Sequence, residues 1–264
     1  MIVRGVFHCH TEVSKDATLT HEDLAAFARE QGFGFVLLGE HRDRMTEDEV
    51  REAAARCDAL STEDLLLVPG QEQEVPAPLK FHIVGIGVRE PILATEPIAI
   101  VDEIRAAGGV SVLAHPTRYR THPAPADLLD AVDGIEVFNL RYDGRHGARE
   151  EVRALLETRP ETLAIAGFDA HDPDDLRRAE TPVLVVEVER LAEAEVVAAI
   201  SAGRFTIEMA GEPVDLRRPT PLVRRAGAGL RRGLFGVARG AKRGLDRIGI
   251  RLPERWVRAA RRRF

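Results

Sequence analysis

Two histidines, His8 and His10, sit one residue apart at the end of an apolar run, and Asp16 follows in the stretch "FHCHTEVSKDATLT". Side chains along a strand alternate with a period of two, so His8 and His10 are expected to share one side while Cys9 faces the other. Imidazole nitrogen and carboxylate oxygen, without thiolate, form a donor set suited to Zn²⁺, Mn²⁺ or Fe²⁺. The same residue types recur where other strand-like runs begin or end. His41 closes "GFVLLGEH", Glu72 lies in "VPGQEQE", His82 opens "HIVGIG", His115 ends "VLAHP", and Asp169 and His171 stand in "GFDAH". Six of the nine histidines are placed this way, whereas His21, His122 and His146 fall in helix-start or loop contexts. Taken singly, such a histidine is a satisfied polar core residue, Asp16 a turn residue and Glu72 a solvated carboxylate. Together they read differently, because buried charge gathered at one point is costly unless cations neutralise it.

Positioning them requires strands that end at a common face. Strand-like runs cover 2–8, 34–41, 65–70, 81–87, 110–116, 134–139, 163–169 and 182–188. Helical stretches fall at 21–31, 46–60, 97–107, 124–132, 145–158 and 191–202, and Thr20/Asp23 and Thr46/Glu49 form capping boxes for the first two. This alternation predicts a mainly parallel α/β sheet covered by helices. Seven or eight repeats favour closure into a barrel, whose catalytic residues come from the C-terminal strand ends.

The chain has 264 residues and a net charge of −6 that conceals a division. Residues 217–264 carry 16 Lys and Arg against Asp246 and Glu254, a net +14, which leaves 21 basic and 41 acidic residues, or −20, in 1–216. The boundary is expected near 216–221, with a body over 1–216 and a basic extension over 217–264. No apolar run is long enough to span a bilayer and no signal peptide is evident. Two cysteines, Cys9 and Cys57, make no disulfide framework, so a reduced, cytoplasmic protein is expected.

Through "FHCHTEVSKDATLT", "GEH", "PGQE", "HIVGIG", "LAHP", "GIEVFN" and "GFDAH", in that order, the body resembles the PHP (polymerase and histidinol phosphatase) family over roughly residues 1–210. The resemblance implies a distorted (β/α)7 TIM-like barrel with two or three divalent metal ions. The implied ligands are His8, His10, Asp16, His41, Glu72, His82, His115, Asp169 and His171. It further implies hydrolysis of a phosphomonoester or phosphodiester by a metal-bridging hydroxide, with Glu72 as the candidate bridging ligand and His171, first a ligand, as a candidate proton donor to the leaving group. Arg42 and Arg118 are placed to anchor phosphate, and Arg141 and Arg145 stand in a nearby loop. The second motif, usually TDH, is Gly39-Glu40-His41 here, and the loop before Asp16 departs from the commoner SDG. The implied substrate is a phosphorylated small molecule or a nucleotide. A rival is an amidohydrolase-type C–N hydrolase, for which Lys80, two residues before His82, is the candidate metal-bridging lysine. A non-catalytic metal-binding module is another, and the nine intact ligand positions weigh against it.

In 222–264, Val223, Ala226, Leu230, Leu234, Val237, Ala241, Leu245 and Ile248 recur at helical spacing among arginines. Such a basic amphipathic extension suits an anionic membrane surface, which would place the protein at the inner face of the membrane. Docking on the acidic body, its own or a partner subunit's, a disordered tail, and binding to nucleic acid are alternatives, the last supported by the same cations and one aromatic pair.

Overall fold

The computed structural model describes residues 1–218 apart from 78, 117, 119–123, 144–148 and 179. The expected basic helical extension, beyond Arg218, lies outside the described residues, as do His122, Arg145 and His146. In chain order the elements are β1 (Ile2–Cys9), α1 (His21–Gln31), β2 (Phe35–Leu38), β3 (Glu40–His41), α2 (Glu47–Leu60), β4 (Leu66–Val68), β5 (Gly70–Glu74) and β6 (His82–Ile86). There follow α3 (Pro97–Ala106), β7 (Val110–Ala114), α4 (Ala126–Ala131), β8 (Gly134–Asn139), α5 (Leu140–Asp143), α6 (Glu150–Glu157) and β9 (Leu163–Gly167). Last come β10 (Pro182–Glu187), α7 (Glu193–Ser201), β11 (Phe205–Met209) and β12 (Glu212–Val214).

Local chemistry sets the helix boundaries. Thr20 and Asp23, and Thr46 and Glu49, cap α1 and α2 reciprocally, and Pro97 opens α3 where its missing N–H costs nothing. Gly32 ends α1 in the left-handed region at φ 69°.

The strands form two six-stranded sheets, β12-β11-β10-β1-β2-β4 and β3-β5-β6-β7-β8-β9. The expectation of a mainly parallel sheet is only half met. Pairs β1/β2, β2/β4, β3/β5, β7/β8 and β8/β9 are parallel, while β1/β10, β10/β11, β11/β12, β5/β6 and β6/β7 are antiparallel. The link between β5 and β6 carries no helix, and without a crossover the chain can only fold back as a hairpin. The runs at 34–41 and 65–70 each divide between the two sheets. Pro69 has no N–H to continue the ladder of β4, and at Gly70 an added Cβ would stand 2.2 Å from the Leu38 carbonyl oxygen. Only hydrogen fits there.

Beyond these breaks, backbone bonds join β1 to the chain after β9: Phe168 N–H donates to Phe7 O (2.8 Å), and His10 N–H to Ala170 O (2.9 Å). One core cluster draws on both sheets, with Phe7, Phe35, Leu37 and Leu184 from the first meeting Val84, Val112 and Ile165 from the second. A second packs helical residues, among them Leu24, Phe27, Ile100 and Leu156, on Val6, Val36, Ile83 and Ile135. All of the described residues fall in one compact unit, and none of their helices is long and apolar enough to cross a membrane.

Candidate metal centre

The register between β1 and β2 shifts between Phe7 and Cys9, and the residue in the bulge is His8, at φ 68°. Simple alternation therefore fails at this point. Cys9 packs in the same core as Val6, while Phe7 joins the other. The bulge re-aims His8 so that its ring lies 5.0 Å from that of His10. The shared side expected for the pair is reached through this irregularity. His82 opens β6 yet joins residues that end other strands, because β6 runs antiparallel to β5 and β7.

Glu72, 1% exposed in β5, is the hub. Its Oε1 lies 2.8 Å from His115 Nε2, 2.8 Å from His82 Nδ1 and 3.5 Å from His8 Nε2. Its Oε2 lies 3.0 Å from His41 Nδ1 and 3.6 Å from His10 Nε2. Asp169 Oδ1 stands 3.5 Å from His10 Nε2 and 3.2 Å from His171 Nδ1. Four overlapping triads have donor atoms within 4.8 Å of one another: His10/His41/His171, His8/Glu72/His115, His8/His10/Asp169 and His41/Glu72/His82. Eight of the nine expected ligands thus share one buried cluster. The ninth, Asp16, is more exposed and lies at its edge, with Oδ2 3.5 Å from His41 Nε2 and 3.8 Å from His171 Nε2.

Whether these residues suit a cation is tested by their proton assignments. Glu136 can only accept, so His8 donates from Nδ1 to Glu136 Oε1 at 2.9 Å. The Ser14 hydroxyl gives its proton to Glu40 Oε2 and accepts from His41 N–H (2.9 Å), so His10 donates from Nδ1 to Ser14 Oγ at 3.3 Å. With Nδ1 committed, Nε2 carries the lone pair of each imidazole in its neutral form, and is the atom that a proton or a cation would take. Both Nε2 atoms are buried and lack a hydrogen-bond partner among the described residues, and both face carboxylate oxygens. Acceptors turned toward acceptors in a buried site call for a positive charge between them. The donor set fits divalent metal ions.

The protonation equilibria agree. Burial alone would lower His8, but Glu136, Glu72 and Asp169 outweigh it and hold His8 well above the usual histidine range. His41, likewise opposed by burial, is raised to about 9 by hydrogen bonds to Asp16 and Glu72. Burial works against Glu72 and Asp169 too, yet the surrounding imidazoles keep both carboxyls well below their ordinary range. His10 and His171 go down, chiefly through burial. Without a metal, protons on His8 and His41 supply part of the positive charge that cations would bring.

The arginines divide. Arg42, expected over the metals, instead donates to the carbonyls of Ile92 (2.9 Å) and Met45 (2.7 Å). Two backbone acceptors fix it to its own loops. Arg118 stays close: its N–H donates to His115 O (2.8 Å), and its guanidinium lies 5.2 Å from the centre of the Tyr142 ring, which in turn sits 5.0 Å from that of His115. Arg141 lies 3.5 Å from Asp175 and is raised, against the pull of burial, by Asp169, Asp175 and Asp16. Arg44, not singled out in the sequence, pairs with Asp16 at 2.6 Å. His171 Nδ1 donates to the Asp169 carbonyl at 3.1 Å, which leaves a lone pair rather than a proton on Nε2. A ligand role suits it better than that of an acid. Lys80 is exposed in the turn before β6, which removes the feature that favoured a bridging lysine.

Two carboxylates were missed. Glu40 accepts from Thr11 N–H (3.0 Å), Thr11 Oγ1 (2.7 Å) and Ser14. Glu136 accepts from His8, from His115 N–H (2.7 Å) and from Asn139 Nδ2 (2.9 Å). The available signal was a charge inside an apolar strand, "LLGEH" and "GIEVFN".

No protein-family model matches the sequence, and no curated protein does. Solved structures do. A two-domain protein containing a predicted PHP-like metal-dependent phosphoesterase, from Bacteroides vulgatus, is 17% identical with a TM-score of 0.61 over 79% of this chain and 65% of its own. The lesion-specific endonuclease PfuEndoQ from Pyrococcus furiosus is 18% identical, with a TM-score of 0.55 over 79% of this chain and 58% of its own. An amidohydrolase from Chromobacterium violaceum, with bound sulfate and no metal, is 16% identical, with a TM-score of 0.52 over 78% and 98%. The chain thus spans less than two thirds of the length of the first two. These likenesses show a mixed α/β fold shared with PHP-like phosphoesterase structures and with an amidohydrolase.

Proposed function

We propose that this chain is a metal-dependent phosphoesterase of the PHP family that hydrolyses a phosphomonoester or phosphodiester of a small molecule or nucleotide. The observation that carries it is the pair of buried Nε2 atoms of His8 and His10, without a hydrogen-bond partner among the described residues and turned toward Glu72 and Asp169. The core shared by both sheets and the bonds from β1 to the chain after β9 support a closed, distorted barrel around this mouth. His8, His10, Glu72 and Asp169 would hold one cation, with His82 and His115 on the Oε1 side of Glu72 and His41, Asp16 and His171 on the other. Two or three bound divalent ions would supply an acidified water and neutralise charge on the phosphoryl oxygens. Glu72, with its oxygens facing different imidazoles, is the candidate bridging ligand. Arg118 and Arg141 would orient the phosphoryl group, for which a guanidinium fork is the matching donor. The exposed position of Lys80 weighs against C–N hydrolysis. The two unbonded, buried cysteines are in keeping with a cytoplasmic setting.

The test is a panel of phosphomonoesters and phosphodiesters offered to metal-stripped protein resupplied with Mn²⁺, Zn²⁺ or Fe²⁺. Turnover should return with metal and be lost in His10→Ala without loss of the folded far-ultraviolet spectrum. Hydrolysis confined to amides or cyclic ureides would hand the reading to the amidohydrolase class.

A further inference from the structure

Glu136 has no place in the ligand set, yet it touches the centre from behind. It is 1% exposed within β8, whose six residues are all buried, and a carboxylate there needs several donors to be tolerated. Its donors are the informative part. It accepts directly from His8 Nδ1, from the backbone N–H of His115, and from Asn139 Nδ2, which also reaches Asp169 Oδ2 at 3.2 Å. His8, His115 and Asp169 belong to three different stretches of chain. They are also three of the six non-glycine residues at positive φ among the described residues, at 68°, 27° and 57°. Backbone of this kind is strained for residues with a Cβ and persists only where its surroundings hold it. One carboxylate holds His8 and His115 directly and Asp169 through Asn139. The neighbouring strand leaves room for it, since at Gly167 an added Cβ would lie 1.5 Å from Glu136 Oε1.

We propose that Glu136 is a positioning residue that fixes the Nδ1–H tautomer of His8 and clamps His115 and Asp169, so that the metal subsites sharing these ligands are assembled as one unit. The inference rests on the metal-centre reading above. An amide cannot replace the carboxylate, because its nitrogen would turn a donor toward His8, His115 or Asn139. Losing such a partner behind metal ligands weakens metal binding about 10–100-fold.

The experiment is a competition titration of zinc against a chromophoric chelator, made on the full chain in the wild type, Glu136→Gln and Gly167→Ala. Long-range ¹H–¹⁵N spectra of the zinc-loaded proteins report the His8 tautomer. Both variants should bind zinc about 10–100-fold more weakly, and Glu136→Gln should lose the single Nδ1–H pattern of His8. Gly167→Ala displaces the carboxylate while leaving every donor in place, so it decides the matter if Glu136→Gln does not fold. Wild-type affinity with an unchanged His8 tautomer in a folded variant overturns the clamp alone. A wild type that takes up no zinc, manganese or iron overturns the metal-centre reading, and the clamp with it.

Discussion

Stripping the metal should give the protein a stability that falls as pH rises, with His41 as the main measurable cause. In the metal-free chain burial opposes the charge on this imidazole, but Asp16 and Glu72 override it and raise His41 to about 9. An unfolded histidine titrates near 6.5. A folded value above the unfolded one means that the folded state binds the extra proton. The resulting stability is complete below about pH 6.5 and is lost as pH climbs through about 9. Roughly 2.5 pH units at about 1.36 kcal/mol each come to about 3 kcal/mol. His8, also raised, adds to the same trend. His10 and His171 are lowered and act only below about pH 6.5, where their contribution rises with pH. The buried thiols of Cys9 and Cys57, both raised, enter only above about pH 8.5. Between those limits neither set contributes, and above about pH 8.5 the thiols add to the same fall. Metal takes the place of these protons, so affinity, and with it the stability of loaded protein, should instead increase with pH. Urea unfolding followed by far-ultraviolet circular dichroism, at intervals from pH 6.5 to 9 in chelator and in stoichiometric zinc, reads both slopes. His41→Gln should flatten the chelated curve. A chelated wild type as stable at pH 9 as at 6.5 would refute the reasoning.

Three further outcomes are expected. Glu40→Gln leaves Thr11 and Ser14 without a full set of acceptors in a buried site and should cost about 1–3 kcal/mol in chemical denaturation. Burial lowers His21 to about 4, and its Nε2 lacks a hydrogen-bond partner. Here the unfolded state binds the extra proton, so His21 should contribute a drop of about 3 kcal/mol as pH falls from about 6.5 to 4, and His21→Leu should make the pH-dependent unfolding curves shallower by that amount, leaving the share of His10 and His171. The +14 of residues 217–264 should carry the chain onto anionic vesicles in a salt-sensitive manner, while a chain ending at Leu216 stays in the supernatant on sedimentation.

The clustered residues were legible because imidazoles at strand termini are chemically conspicuous, and each of the nine positions singled out as a candidate ligand lies in the cluster or at its edge. Helix starts were legible too, since Thr20/Asp23 and Thr46/Glu49 write their caps locally. Strand direction was not. Whether β6 runs with or against β5 depends on the lack of a crossover, which the apolar pattern of "FHIVGIG" does not encode. The hairpin β11/β12 went unread because Phe205–Met209 and Glu212–Val214 are short and partly exposed, with a weak apolar face. Arg42 was misjudged on proximity alone: adjacency to His41 says nothing about which carbonyls the guanidinium meets. Glu136 and Glu40 were hidden for a related reason. A carboxylate's worth depends on its donors, and of theirs only Asn139, on the same strand as Glu136, is near in the chain.

Because the cluster joins His8 to His171, a ribosome must release every residue through His171 before the full set of imidazoles and carboxylates can meet. A nascent chain emerging N-terminal end first presents His8 and His10 early, but Asp169 and His171 only after β1 to β9 have been made. Ions captured before then would be held loosely and exchanged freely. Tight retention of metal would therefore certify that synthesis had passed His171 and that the strands before it had come together, and a product terminated earlier would give itself away by failing to keep it.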